Sequence, residues 1–99
     1  MHIIIWEYQV KPEQQAEFEK IYAANGAWVE LFKKGAGYLS TELFQKTNLP
    51  LRFLTIDRWK SKDDYEAFLS QRQEEYKALD AQCEGLTESE IEIGRWDLV

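Results

Sequence analysis

Three residues near the middle of the sequence have side chains that could bind and activate an aromatic molecule: Trp59, Tyr65 and Arg72. An indole and a phenol can pack against a ring and hold it in place. A guanidinium can stabilise an anion and lower the pKa of the acid from which that anion forms. We therefore take these three side chains as the candidate catalytic residues.

The segment Leu51–Phe68 positions two of them. It predicts a strand that ends at Trp59, followed by a helix that begins after Ser61. Ser61 is followed three residues later by Asp64, a spacing typical of a helix start, because the serine oxygen can accept a hydrogen bond from the first helical turn. Tyr65 is the first inward-facing residue of this helix. Trp59 and Tyr65 are therefore expected to meet at one strand–helix junction.

Arg72 falls at the centre of the apolar stripe of the predicted helix Ser61–Glu84. An unpaired guanidinium at such a position would be costly in free energy. Two interpretations remain open. The side chain reaches the edge of the stripe or pairs with an internal carboxylate such as Asp57 or Glu7, or it faces a cavity and binds a carboxylate, phenolate or enolate.

The composition excludes several classes of function. The 99 residues have a formal net charge of −6, so no nucleic-acid partner is expected, because clustered Lys and Arg bind phosphates. Cys83 and His2 are the single cysteine and histidine, and no metal site or disulfide is expected. Without a visible signal peptide or membrane-length apolar run, the sequence predicts a cytoplasmic protein with no membrane partner. Several acidic residues are expected on a solvated surface: Glu74, Glu75, Glu88, Glu90 and Glu92.

The order of the predicted elements indicates the fold. Residues 1–99 are predicted to form one domain. A helix that begins after Pro12 is interrupted at Asn25-Gly26. Thr87 and Glu90 have the spacing of a helix start, which predicts a short helical turn before the last strand. Right-handed crossovers turn a βαββαβ order into a ferredoxin-like α+β fold, a four-stranded antiparallel sheet with helices on one face. The predicted strands are His2–Val10, Tyr38–Lys46, Leu51–Trp59 and Ile91–Val99.

The opposite face of the sheet is also apolar. The first strand has Ile3 and Ile5 on that face, and the third has Leu54 and Ile56. A sheet with one face in water would alternate more cleanly between apolar and polar residues. The simplest partner for this face is a second copy of the chain, which predicts a homodimer.

The chain resembles the antibiotic biosynthesis monooxygenase (ABM) domain, a branch of the dimeric α+β barrel superfamily. The resemblance runs nearly end to end and rests on the order and spacing of IIIWEYQVKPE, GAWVELF, GYLSTEL, LTIDRW with YEAF, and the last strand. It implies a dimer with a small cavity between helices and sheet in each subunit. It also implies oxygenation of aromatic substrates without metal, flavin or haem.

The family's functional residues carry over in part. Trp59 and Tyr65 match the family's tryptophan and tyrosine. Thr55 stands where oxygenating members have asparagine, and a hydroxyl lacks the paired groups of an amide. Haem-degrading relatives have a histidine where this chain has Leu69, which disfavours a haem-binding or haem-degrading role.

The sequence thus predicts a monooxygenase without cofactors that acts on a small aromatic phenol or quinol. Such a reaction needs a substrate anion that can pass an electron to O₂, which Arg72 would stabilise. The alternative is a non-catalytic homodimer that binds a small apolar ligand or has a structural role. The predicted substrate contacts are Trp28, Phe32, Tyr38, Thr55 and Tyr76. Simple core packing is the alternative for their aromatic members and for Trp59.

Overall fold

The predicted βαββαβ order is confirmed by the structure, a computed structural model that describes residues 1–99. The four strands form one antiparallel sheet in the order β2-β3-β1-β4, with the helices on one face, which is the ferredoxin-like α+β fold. The strands are β1 (His2–Val10), β2 (Tyr38–Lys46), β3 (Leu49–Trp59) and β4 (Thr87–Asp97). The helices are α1 (Gln15–Tyr22), α2 (Ala27–Phe32), α3 (Lys62–Gln71) and α4 (Gln73–Cys83), and 3₁₀ turns cover Pro12–Gln14 and Glu84–Leu86.

Strand β3 shows the period of two that the sequence predicts. Its four buried residues are every second one, Phe53, Thr55, Asp57 and Trp59. They share the sheet face that packs against the helices. Two of the four are polar, so this face carries hydrogen-bonding groups into the interior as well as aromatic rings.

The predicted junction between β3 and the next helix is also present. The Ser61 side chain accepts a hydrogen bond of 3.1 Å from the backbone N–H of Asp64, which caps α3. The first turn of α3 then brings the ring of Tyr65 to 5.4 Å from that of Trp59, centroid to centroid. Trp59 is fully buried and also contacts Phe68.

The interruption at Asn25-Gly26 separates α1 from α2, as expected. A side chain at Gly26 would place its Cβ 2.2 Å from the backbone oxygen of Ile21. The chain can therefore pass this close to the end of α1 only with glycine at that position. The break allows α2 to turn Trp28 and Phe32 into the core.

The helix predicted over Ser61–Glu84 is wrong as a single element, because it is divided at Arg72. This residue has φ −117° and ψ 27°, and it ends α3 and starts α4. No glycine or proline marks the break, and the residues around it are polar. The predicted apolar stripe is present on both sides of the break, because Leu69 and Tyr76 pack against the core, and Arg72 is the member that does not.

The predicted helical turn at Thr87 is also wrong. Thr87 is extended (φ −123°, ψ 150°) and begins β4, which therefore starts four residues earlier than predicted. Pairing with β1 supplies the backbone hydrogen bonds that a capped turn would otherwise provide. Within β4, Ile93 is an extra residue between Glu92, which pairs with Trp6, and Gly94, which pairs with Ile5. We call this extra residue the β4 bulge.

The sheet face opposite the helices, which we call the outer sheet face, is largely apolar. The strand register places on it Ile3, Ile5, Phe44, Leu54, Ile56, Ile91 and Trp96. Phe44, Ile91 and Trp96 are each about half exposed. Cross-strand ion pairs of Glu7 with Arg52 and of Glu42 with Arg58 interrupt this apolar surface.

Candidate functional site

A small cavity lies between the sheet and the helices, and we call it the helix–sheet cavity. Its volume is about 30 Å³. Every strand and every α-helix contributes to its wall. The lining residues are Trp6, Tyr8, Tyr22, Trp28, Phe32, Thr41, Thr55, Asp57, Tyr65, Tyr76, Asp80 and Glu90.

Two hydrogen-bonded groups of side chains provide the buried polar part of the wall, apart from the exposed Asp80 and Glu90. The hydroxyls of Tyr8 and Thr55 lie 2.9 Å apart across β1 and β3. In the second group, Tyr38 donates to the Thr41 hydroxyl at 2.8 Å, and Thr41 donates to Asp57 Oδ1 at 2.7 Å. Both groups follow from the alternation of β3, which turns Thr55 and Asp57 to the same face.

Asp57 is the buried carboxylate of the cavity, and only 7% of the residue is exposed. Burial raises its pKa from 3.8 to about 6, against the opposing effect of the Thr41 hydrogen bond. The ion pairs of the chain do not include it. Asp57 can therefore change its protonation state close to neutral pH.

The tyrosines of the cavity are held in the neutral form. Burial raises the pKa of Tyr65 to about 12, although the nearby charge of Arg95 lowers it in part. The guanidinium carbon of Arg95 lies 5.3 Å from the centre of the Tyr65 ring. Burial also raises the pKa of Tyr8 and of Tyr76. At neutral pH these phenols can donate hydrogen bonds to a ligand.

Five of the eight predicted site residues line the cavity: Tyr65, Trp28, Phe32, Thr55 and Tyr76. Trp59 is fully buried and does not line it, but its ring packs against Tyr65 from the interior. Tyr38 is also outside the lining and reaches the cavity only through its hydrogen bond to Thr41.

Of the interpretations left open for Arg72, the structure contradicts a place in the cavity wall and agrees with a side chain that reaches the edge of the stripe. Its side chain is 40% exposed at the break between α3 and α4, and it forms an ion pair of 3.0 Å with Glu75. The proposed partners also differ, because Glu7 pairs with Arg52 and Asp57 accepts a hydrogen bond from Thr41. Arg72 is the non-helical residue between α3 and α4, and its long side chain reaches solvent while the stripe residues on either side stay packed against the core.

Sequence reasoning missed several lining residues. Tyr8 and Thr41 lie on inward faces of β1 and β2, and strand alternation alone could have identified them. The sequence analysis offers Asp57 only as a partner for Arg72, although strand alternation also turns it to the same face as Thr55 and Trp59. Glu90 is exposed, as expected, but it also lines the cavity, and partial burial raises its pKa. The earlier start of β4 explains this position.

Other parts of the chain carry no comparable group. No three His, Cys, Asp or Glu side chains are placed to hold a metal ion. The buried His2 bonds to Asp97 at 2.8 Å, and neither residue lines the helix–sheet cavity. None of the helices is both long enough and apolar enough to cross a membrane.

Solved structures share this fold. SnoaB from Streptomyces nogalater, described as a cofactor-independent oxygenase, is 17% identical, with a TM-score of 0.75 over 99% of this chain and 92% of that one. A conserved protein from Methanosarcina mazei is 17% identical, with a TM-score of 0.77 over 96% and 89% of the two chains. PA3566 from Pseudomonas aeruginosa is 17% identical, with a TM-score of 0.71 over 99% and 93%.

The sequence comparisons agree with the fold. No curated protein matches the chain. The family model described as antibiotic biosynthesis monooxygenase matches residues 1–81, most of the sequence. The chain therefore belongs to the antibiotic biosynthesis monooxygenase (ABM) family.

Proposed function

We propose that the protein is a cofactor-independent monooxygenase that acts on a small aromatic phenol or quinol in the helix–sheet cavity. The observation that carries the proposal is the wall of this cavity, in which seven aromatic side chains surround hydroxyl groups and one buried carboxylate. Membership of the ABM family and the fold shared with SnoaB support it. Aromatic walls with a few polar groups suit a planar, partly polar ligand.

The chemistry needs no group that the chain does not provide. In such a reaction one atom of O₂ enters the ring and the other leaves as water. A hydroquinone becomes a hydroxyquinone, so the substrate supplies all the electrons. The protein has to bind the ring, exclude water and help to form the electron-rich anion.

We assign the proposed roles by position. Tyr65 contacts the substrate ring and donates a hydrogen bond from its neutral phenol. Thr55, paired with Tyr8, orients a substrate oxygen. Trp59 acts as a positioning residue, because it packs behind Tyr65 without lining the cavity. Arg72 has no role in this proposal, since it lies outside the cavity.

Substrate binding must move side chains. The cavity of about 30 Å³ is much smaller than the roughly 150 Å³ cavity that admits benzene. Trp6 and Tyr76 are the half-buried rings of the wall, and Asp80 and Glu90 are exposed. We propose that rotation of these two rings opens the space for the substrate, because the fully packed side chains have no room to move.

Oxygen uptake tests the proposal. Purified protein is mixed with a panel of hydroquinones and anthrone-like phenols, and O₂ consumption and product formation are measured. Wild-type protein should consume O₂ in step with product. Trp59→Phe should lower kcat/KM by up to about 100-fold, because Tyr65 loses its support and the substrate is misplaced. Trp96→Phe is the matched control on the outer sheet face and should leave the rate unchanged.

The alternative is a non-catalytic homodimer that binds a small apolar ligand or has a structural role. Two observations favour it: Thr55 replaces the asparagine expected of oxygenating members, and the cavity is small. Binding of the panel compounds without any O₂ consumption would support this alternative and refute the monooxygenase.

The proposed assembly is a homodimer through the outer sheet face. About half of the Phe44, Ile91 and Trp96 surface is exposed there in a single chain. An exposed, largely apolar face of this kind is typical of a contact surface. A second copy would cover it without touching the helix–sheet cavity, which lies on the other side of the sheet.

A further inference from the structure

The helix–sheet cavity contains a buried carboxylate with no cation beside it. Asp57 is 7% exposed, and its Oδ1 accepts a hydrogen bond of 2.7 Å from Thr41. The Tyr38 hydroxyl supports Thr41 at 2.8 Å, so the carboxylate is fixed by a chain of two hydroxyls. A buried carboxylate without an ion pair destabilises a fold when it is charged. Such a group inside a cavity is therefore a candidate for a chemical role.

The titratable groups around Asp57 are phenols and acids. Burial raises the pKa of one tyrosine from each of four packed elements, and the negative charge of Asp57 adds to the increase: Tyr8 (β1), Tyr38 (β2), Tyr65 (α3) and Tyr76 (α4). The other charged groups of the cavity wall are Asp80 and Glu90. None of these groups can neutralise a second negative charge.

The cation that contacts a cavity residue is Arg95. It lies against the ring of Tyr65 and forms an ion pair of 3.0 Å with Glu92. Arg95 does not line the cavity. A substrate that arrived as a preformed anion would add its charge to that of Asp57 and be repelled. The substrate must therefore enter as a neutral molecule. When it later ionises, the net negative charge of the cavity must stay the same.

We propose that Asp57 is the base that accepts the proton of the substrate hydroxyl. The O–H bond of the phenol breaks, its electron pair stays on the substrate oxygen, and the proton passes to the Asp57 carboxylate. A phenolate and a carboxylic acid replace a phenol and a carboxylate, so the net charge of the cavity does not change. This inference rests on the proposed monooxygenase function and adds to it the proton acceptor and the charge state of the substrate.

The pH dependence follows from this role. The base must be ionised in the free enzyme, so kcat/KM should fall tenfold per pH unit below the pKa of Asp57, which is about 6. A purely structural carboxylate at the end of a hydroxyl chain would not impose this acid limb. The limb therefore distinguishes a chemical role from a structural one.

The experiment measures kcat/KM for oxygen uptake from about pH 4.5 to about pH 9 with the best neutral phenol of the panel. Asp57→Asn should lose about 100-fold or more and should lack the acid limb, because general-base catalysis contributes 10²- to 10⁴-fold. Asp57→Glu keeps a carboxylate and should recover part of the rate. Thr41→Val removes the hydrogen bond that lowers the pKa of Asp57, so its acid limb should move to higher pH.

The outcomes separate this inference from the function on which it rests. If wild-type protein consumes no O₂ with any phenol, the proposed function fails and the inference fails with it. If wild-type protein is active but Asp57→Asn keeps its rate and acid limb, only the inference fails. Thr41→Val retains the carboxylate, and so decides the question if Asp57→Asn does not fold: an unshifted acid limb in this variant would overturn the inference.

Discussion

Replacing Asp57 by asparagine should stabilise the folded protein at neutral pH, and the gain should depend on pH. Burial raises the pKa of Asp57 from 3.8 to about 6. Each pH unit of pKa shift corresponds to about 1.36 kcal/mol, so the charged carboxylate costs the folded state about 3 kcal/mol. Asparagine has nearly the same shape and carries no charge, so it removes this cost. Its amide oxygen can still accept the Thr41 hydrogen bond.

The sign of the pH dependence follows from proton binding. Between about pH 4 and about pH 6, the folded state keeps the proton of Asp57 and the unfolded state releases it. The contribution of Asp57 to the free energy of unfolding therefore falls as the pH rises through this window. It is constant above the folded pKa. About half of the total change should lie between about pH 5 and about pH 7.5.

Urea unfolding of wild-type protein and Asp57→Asn at these two pH values measures the effect. The free-energy difference between the two proteins should favour the variant more at the higher pH. The exposed Asp63, replaced by asparagine, controls for removing one negative charge from a chain of net charge −6. A difference that is the same at both pH values, or that favours the variant more at the lower pH, would refute the prediction. Asp57 would then not be a buried acid whose charge destabilises the fold.

The remaining predictions concern assembly, Arg72 and haem. Light scattering at micromolar concentration should give twice the chain mass of 11.7 kDa, and Ile56→Lys on the outer sheet face should give the monomer; a monomeric wild-type protein would contradict the dimer. Arg72→Met should change the free energy of unfolding by less than about 1 kcal/mol, because it breaks only an exposed ion pair. It should leave oxygen uptake unchanged, and a large loss would restore Arg72 as a candidate site residue. Hemin added to the protein should give no Soret band of a bound complex, since Leu69 occupies the position of the relatives' histidine.

Strand alternation made much of the site predictable. The inward face of β3 and the cap at Ser61 together place Trp59 beside Tyr65, and both signals are local in the sequence. Local signals of this kind decide side-chain direction wherever a strand or a helix start is regular. The same alternation puts Asp57 in the cavity. Strand alternation does not predict that Asp57 has no cation beside it, because this depends on the three-dimensional positions of Arg72 and Arg95.

The position of Arg72 could not be predicted in the same way. A helix break without glycine or proline leaves no local mark in the sequence, and Arg72 lies at this break with its side chain at the surface, paired with Glu75. The start of β4 at Thr87 was missed for a related reason. A capping pattern is local, whereas pairing with β1 is a long-range interaction that overrides it.

The β4 bulge bears on how this chain can vary among relatives. β4 is an edge strand, and in such strands an added or lost residue is accommodated more easily than in the centre of a sheet. Loss of Ile93 alone would remove the bulge and leave a regular ladder, in which Gly94 follows Glu92 directly opposite Ile5. Arg95 would stay opposite Ile4, on the face of the Tyr65 ring, and Trp96 would stay opposite Ile3 on the outer sheet face. A one-residue gap at this point in an alignment would thus mark a change in the local twist of the edge strand that leaves the cation behind Tyr65 in place.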